Sequence, residues 1–84
     1  MGREMNSTLD TVREVIGNYL NIDPSTIGDS TQLVEDLGLD SLDSIELVME
    51  IEEKMGIELA DDDMDGVKTV GQLADALNRA FARR

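Results

Sequence analysis

Ser41 is the residue of this chain best placed for chemistry. It stands in the run Val34-Glu35-Asp36-Leu37-Gly38-Leu39-Asp40-Ser41-Leu42, where a loop passes into an amphipathic segment. Asp40 is a good N-cap, its carboxylate able to accept early helical N–H groups, which makes Ser41 the first helical residue and Leu42 the second. A hydroxyl there points outward at a helix N-terminus, where unpaired N–H groups and the positive end of the macrodipole favour an attached phosphate. Gly38 lets the backbone turn sharply and keeps bulk away from the serine. No base adjoins Ser41 in the sequence, which suits a hydroxyl modified by another protein better than a nucleophile acting alone. The chain has no cysteine and no histidine, so disulfides, thiolate metal sites and the commonest general base are all excluded.

A second constellation invites a different chemistry. Asp61, Asp63, Asp65 and Gly66 match the opening of an EF-hand calcium loop. The match then fails, because Gln72 stands where a bidentate glutamate is needed and Lys68 replaces an apolar residue. No dedicated metal site is expected, although weak binding of divalent cations at Asp61, Asp63 and Asp65 would relieve their mutual repulsion. The plainer expectation is that Asp61 caps a short helical turn that directs Met64 and Val67 to the core.

Charge narrows the partners. The net charge is −12, and between Glu35 and Asp65 there are 13 acidic residues against Lys54 alone. Elsewhere 6 acids balance 6 bases. Nucleic acid is disfavoured, since its phosphates demand basic contacts. A basic protein surface is the natural complement, and charge attraction would speed encounter with it.

The elements that must position Ser41 can be read from periodicity. Ser7 and Asp10 form a capping-box pattern, after which Leu9, Val12, Val15, Ile16, Tyr19 and Leu20 recur at helical spacing to about Asn21. This is read as a core helix without chemistry. Residues 1–6 are expected to fray. A long loop follows to Leu39, with a turn at Gly28-Asp29-Ser30 and with Ile22, Ile27, Leu33, Val34 and Leu37 available to pin it to the helices. The helix from Ser41 to Met55 carries two apolar stripes. Leu47, Ile51 and Met55, with Val48 at the edge, make a core face, while Leu42, Ile45 and Met49 lie nearly opposite and are bordered by Glu46, Glu50, Glu52 and Glu53. A small bundle cannot easily bury both faces, so the second stripe reads as a docking surface, with full burial on both faces as the alternative. Gly56 stops that helix. Thr69 and Gln72 form a capping box for a last helix, on which Val70, Leu73, Ala74, Leu77, Ala80 and Phe81 face inward and Arg79, Arg83 and Arg84 complement the C-terminal dipole. The expected architecture is all-α: a small bundle of three main helices and one short helix, in a single domain spanning residues 1–84, with the long loop between the first and second helices.

The segment from Glu35 to Leu42, continued by Asp43-Ser44-Ile45-Glu46-Leu47-Val48-Met49, resembles the attachment segment of acyl carrier proteins. The likeness extends over residues 8–80, taking in Val12, Val15-Ile16-Gly17, Leu20 and Thr69-Val70. It implies that Ser41, flanked by Asp40 and Leu42, carries a covalent 4′-phosphopantetheine whose thiol holds acyl groups. By the same resemblance a phosphopantetheinyl transferase installs the group using coenzyme A and Mg²⁺. Leu42, Ile45, Glu46, Met49, Glu52 and Glu53 would then contact the transferase and acyl-processing enzymes with basic docking surfaces. Leu39-Asp40 favours the acyl type over the peptidyl type. Ala60, where many members have proline, and the acidic Glu50 raise a specialised lipid or polyketide carrier beside the fatty acid one.

No apolar run approaches membrane-spanning length, so a cytoplasmic protein is expected, and the resemblance to acyl carrier proteins implies a non-enzymatic monomer. Two other classes stay open. One is an acidic interaction module that leaves Ser41 unmodified, and the other is a divalent-cation-binding protein.

Overall fold

The computed structural model describes residues 7–83, and these form an all-helical bundle. Helix α1 spans Ser7–Leu20, α2 Ser41–Met55 and α3 Val70–Arg83, with short 3-10 turns at Pro24–Thr26 and Asp61–Met64. Among the described residues there is no strand, only an isolated antiparallel bridge between Gln32 and Thr69. The caps and fraying expected at the start lie outside the described residues or side chains.

Helix α1 packs against both α2 and α3. Its Val12, Val15 and Ile16 are fully buried, and Leu9, Tyr19 and Leu20 close around them. From α2 come Leu47 and Ile51, with Val48 and Met55 at the margin, as the spacing predicts. Helix α3 supplies Val70, Leu73, Ala74, Leu77 and Ala80, together with Ala76, which the stripe does not include. Phe81 has the right phase but is 45% exposed, contrary to expectation. Three residues before it, the Asn78 side chain accepts a hydrogen bond from the Thr8 hydroxyl at 2.6 Å, which joins α3 to the first described turn of α1.

The long loop is held chiefly by backbone hydrogen bonds. Val70 donates to the Thr31 carbonyl (2.9 Å) and Gly71 to the Asp29 carbonyl (2.7 Å), while Leu33 donates to the Lys68 carbonyl (2.8 Å). The loop thereby satisfies N–H groups that open α3 and that have no partner within the helix. Thr69 and Gln72 complete that end as the expected capping box, with Gln72 N–H to Thr69 Oγ1 and Thr69 N–H to Gln72 Oε1, both 3.1 Å. A Cβ at Gly71 would stand 2.9 Å from the Asp29 carbonyl oxygen, so this close approach requires glycine. Ile27, Leu33 and Leu39 are the loop's buried anchors, with Leu37 packed beside them. Ile22 (39% exposed) and Val34 (64%) do not pin the loop as expected. Val34 lies within the hydrogen-bonded turns after Gln32, where winding sends Leu33 inward and Val34 out.

Candidate functional site

The approach to Ser41 is a fastened coil. Asp36 and Leu37 both donate to the Gln32 carbonyl, Gly38 donates to Val34, and Leu39 to Leu33. The Asp36 carboxylate accepts the Gln32 N–H at 2.8 Å. Gly38 takes a φ of 71°, a left-handed conformation that disfavours side chains. Leu39, 1% exposed, then plugs the core immediately before the cap.

Asp40 is the N-cap expected. Its Oδ1 accepts the Asp43 N–H at 2.9 Å, and Asp43 Oδ2 accepts the Asp40 N–H at 3.3 Å, a reciprocal box around Ser41 and Leu42. Ser41 is exposed on the first turn of α2. Leu42, Ile45 and Met49 are 63%, 57% and 59% exposed, so the second stripe is an outer surface and burial on both faces is ruled out. Glu46, Glu50 and Glu53 are exposed beside it. Glu52 differs: its Oε2 accepts the Leu59 N–H at 2.6 Å, which ties α2 to the connection that follows Gly56.

Between α2 and the Asp61–Met64 turn lies a cleft of about 330 Å³, lined by Ser44, Ile45, Val48, Met49, Leu59 and Met64 among others. Its lining begins at Ser44, about one helical turn from Ser41. Around the C-terminal half of α2 is a wider open depression of about 950 Å³, edged by Glu46, Glu50, Glu53 and Glu58.

Sequence reasoning treated Tyr19 as a core residue and missed its hydroxyl. That O–H reaches from α1 to α2, 2.8 Å from Glu46 Oε1 and 2.9 Å from Asp43 Oδ1. The bond to Glu46, and then that to Asp43, holds the phenol well above its ordinary range. Conversely the Tyr19 hydroxyl, and then the Asp40 N–H, hold the Asp43 carboxyl below the usual carboxylate range. Tyr19 is the chain's one tyrosine and lies on the edge of an apolar stripe, a position whose polar tip needs a partner. That partner depends on how α1 crosses α2.

The three aspartates that suggested a calcium loop are not brought together. Residues 61–64 wind as a 3-10 turn, which points Asp61 and Asp63 in different directions. The cap position belongs to Ala60, not Asp61, and the Asp63 carboxylate closes the turn by accepting the Ala60 N–H at 2.9 Å. Both Asp63 oxygens also bind Arg83, Oδ1 to Nη1 at 3.0 Å and Oδ2 to Nη2 at 2.6 Å. Arg83, and then the Ala60 N–H, lower the Asp63 pKa to about 2. Among the described residues, no group of three or more carboxylates is arranged to hold a metal ion. Arg83 thus serves a specific pair as well as the helix dipole, while Arg84 lies outside the described residues.

An exposed serine on a capped helix N-terminus, with no bulk at Gly38 and an apolar strip beginning at the next residue, fits a phosphate-linked group on a flexible arm. The comparisons agree. The family model for the phosphopantetheine attachment site matches residues 10–77, and that match defines the class. The acyl carrier protein of Sulfurovum sp. (strain NBC37-1) is 48% identical over 62 residues, 74% of this chain and 83% of that protein. That of Wolinella succinogenes is 44% identical over 64 residues, 76% and 84% of the two chains. A solved structure of the acyl carrier protein from Enterococcus faecalis matches with a TM-score of 0.72 at 31% identity, covering 95% of this chain and 99% of that one. Within the class, the chain belongs to the acyl carrier protein family, whose cofactor is a covalent 4′-phosphopantetheine.

Proposed function

We propose that Ser41 is the attachment residue and that the chain presents acyl groups to biosynthetic enzymes. The observation that carries this reading is the exposed Ser41 hydroxyl on a capped helix N-terminus, set beside an exposed apolar strip. When attached, the group supplies a thiol that holds acyl chains as thioesters. Asp40 and Asp43 hold the first turn in place, and the helix N-terminus favours the phosphodiester charge. Leu42, Ile45 and Met49 offer apolar contact, while Glu46 and Glu53 steer basic partners. Glu52 contributes charge at the rim but is fixed through Leu59. The cleft lined by Val48, Leu59 and Met64 is the shelter for an acyl chain.

On this reading the chain is a single carrier domain without catalytic activity of its own, acting as a cytoplasmic monomer. Its partners are a phosphopantetheinyl transferase and acyl-processing enzymes with basic docking surfaces, in fatty acid synthesis or a specialised lipid or polyketide pathway. None of the described helices is long and apolar enough to cross a membrane. The test is intact-protein mass spectrometry after incubation with coenzyme A, Mg²⁺ and a broad-specificity phosphopantetheinyl transferase. The parent should gain one phosphopantetheine and Ser41→Ala none. A folded parent that gains nothing would point instead to an unmodified acidic interaction module.

A further inference from the structure

The Tyr19 hydroxyl carries one proton, yet two carboxylate oxygens converge on it, one from each of two successive turns of α2. Asp43 and Glu46 are three residues apart and share a face of the helix, so their charges repel. The two acids differ in how they are held. Asp43 is already fixed, because its other oxygen belongs to the capping box with Asp40. Glu46 is on the exposed side of the helix, and Tyr19 provides the one side-chain hydrogen bond found for it among the described residues. A surface glutamate without such a tether samples several rotamers, and a partner must order it on binding.

We infer that Tyr19 is a positioning residue for partner recognition: its hydroxyl, whose one proton is shared between Glu46 and the already fixed Asp43, holds Glu46 in one place beside the Leu42–Ile45–Met49 strip, ready for a cationic side chain of the docking enzyme. This rests on the reading of Ser41 as the attachment residue. The hydroxyl is neutral, so it orders Glu46 without cancelling the negative charge that a basic partner reads. A lysine or arginine at position 19 would order the carboxylate equally well and quench it. Tyr19 is half-buried and its ring packs against the core, so Tyr19→Phe removes the hydroxyl and leaves the packing in place.

The experiment measures steady-state phosphopantetheinylation of the parent, Tyr19→Phe, Glu46→Ala and the double variant, each shown by circular dichroism to be folded. Carrier concentration is varied at saturating coenzyme A and Mg²⁺. In Tyr19→Phe, KM for the carrier should rise several-fold, with kcat within about twofold of the parent. In the Glu46→Ala background the same change at position 19 should have little further effect. Loss of stability alone would not give that dependence on Glu46. An unchanged KM in Tyr19→Phe, or an equal rise with and without Glu46, overturns the assignment of Tyr19 while leaving Ser41 in place. A folded parent that is not modified at all overturns the reading of Ser41, and this inference falls with it.

Discussion

Two acidic regions of this small protein are handled in opposite ways. At the start of α2, Asp40, Asp43 and Glu46 are held by backbone N–H groups and by the Tyr19 O–H, all neutral donors. In the Asp61–Met64 turn, Asp63 is held by the guanidinium of Arg83 as well as by a backbone N–H. The first arrangement orders carboxylates and keeps their field. The second orders a carboxylate and cancels it. Acidity is thus preserved next to Ser41, where a basic partner must be attracted, whereas in the turn one carboxylate, Asp63, is neutralised to fasten it to the end of α3 while Asp61 and Asp62 stay exposed.

The contrast requires α2 to be anchored mainly by the apolar residues of its inner face, so that the Leu42–Ile45–Met49 strip is free for docking. The largest effect should therefore come from the inner face. Leu47→Ala removes a side chain that is 1% exposed and should cost about 2–5 kcal/mol in a urea unfolding curve. Ile45→Ala, on the outer strip, should change stability by no more than about 0.5 kcal/mol. Comparable losses from both would mean that the strip is structural.

Next in size is the cap. Asp40→Ala removes the acceptor of the Asp43 N–H and should cost about 1 kcal/mol. For a domain of this length that is a drop in Tm of roughly 4–8 °C. A Tm unchanged within error would show that the first turn of α2 is held by something other than its cap, and the contrast between the two regions would lose its first half.

Much of this was legible beforehand, because the signals are local. Asp40 and Asp43 are three residues apart, Thr69 and Gln72 likewise, and Gly56 ends α2 in a left-handed conformation with a φ of 68°. The phase of the two stripes on α2 identified both the buried and the exposed face. What escaped depends on how distant segments meet. Asp63 and Arg83 are 20 residues apart, and Tyr19 and Glu46 are 27 apart. No periodicity connects either pair. The loop's bonds to the start of α3 run from backbone to backbone and leave almost no mark in side-chain types, apart from the glycine that their closeness demands at position 71. In the aspartate-rich run the residue types suggest Asp61 as the cap, whereas Ala60 holds that position and Asp63, two residues after Asp61, closes the turn on the Ala60 N–H.

Salt distinguishes the two regions more gently. With a net charge of −12, the folded state carries self-repulsion that added electrolyte screens. Raising NaCl from low to moderate concentration should therefore raise the Tm. The gain should be larger in Arg83→Gln, where Asp63 loses its cation and joins the unbalanced charges. An equal or lower Tm in salt would mean that the ion pair outweighs the repulsion around it.

The smallest and most specific effect concerns acid. Asp63 has a folded pKa of about 2, below its ordinary 3.8, and the Arg83 hydrogen bond is the leading cause. A carboxyl with a depressed folded pKa stabilises the fold fully above its unfolded value and loses that contribution as pH falls through the folded one. Arg83→Gln removes most of the cause, so at neutral pH the variant should melt below the parent, by less than Asp40→Ala does. The gap should narrow as pH drops from about 4 toward 2 and Asp63 of the parent takes up its proton. The Asp40→Ala gap serves as the reference within the same titration, because that variant leaves the Asp63–Arg83 pair intact. A gap for Arg83→Gln that stays constant across this window would show that Arg83 acts on the end of α3 through the helix dipole and packing, with Asp63 held by the Ala60 N–H alone. In that case both acidic regions would be governed by neutral donors, and the contrast between them would disappear.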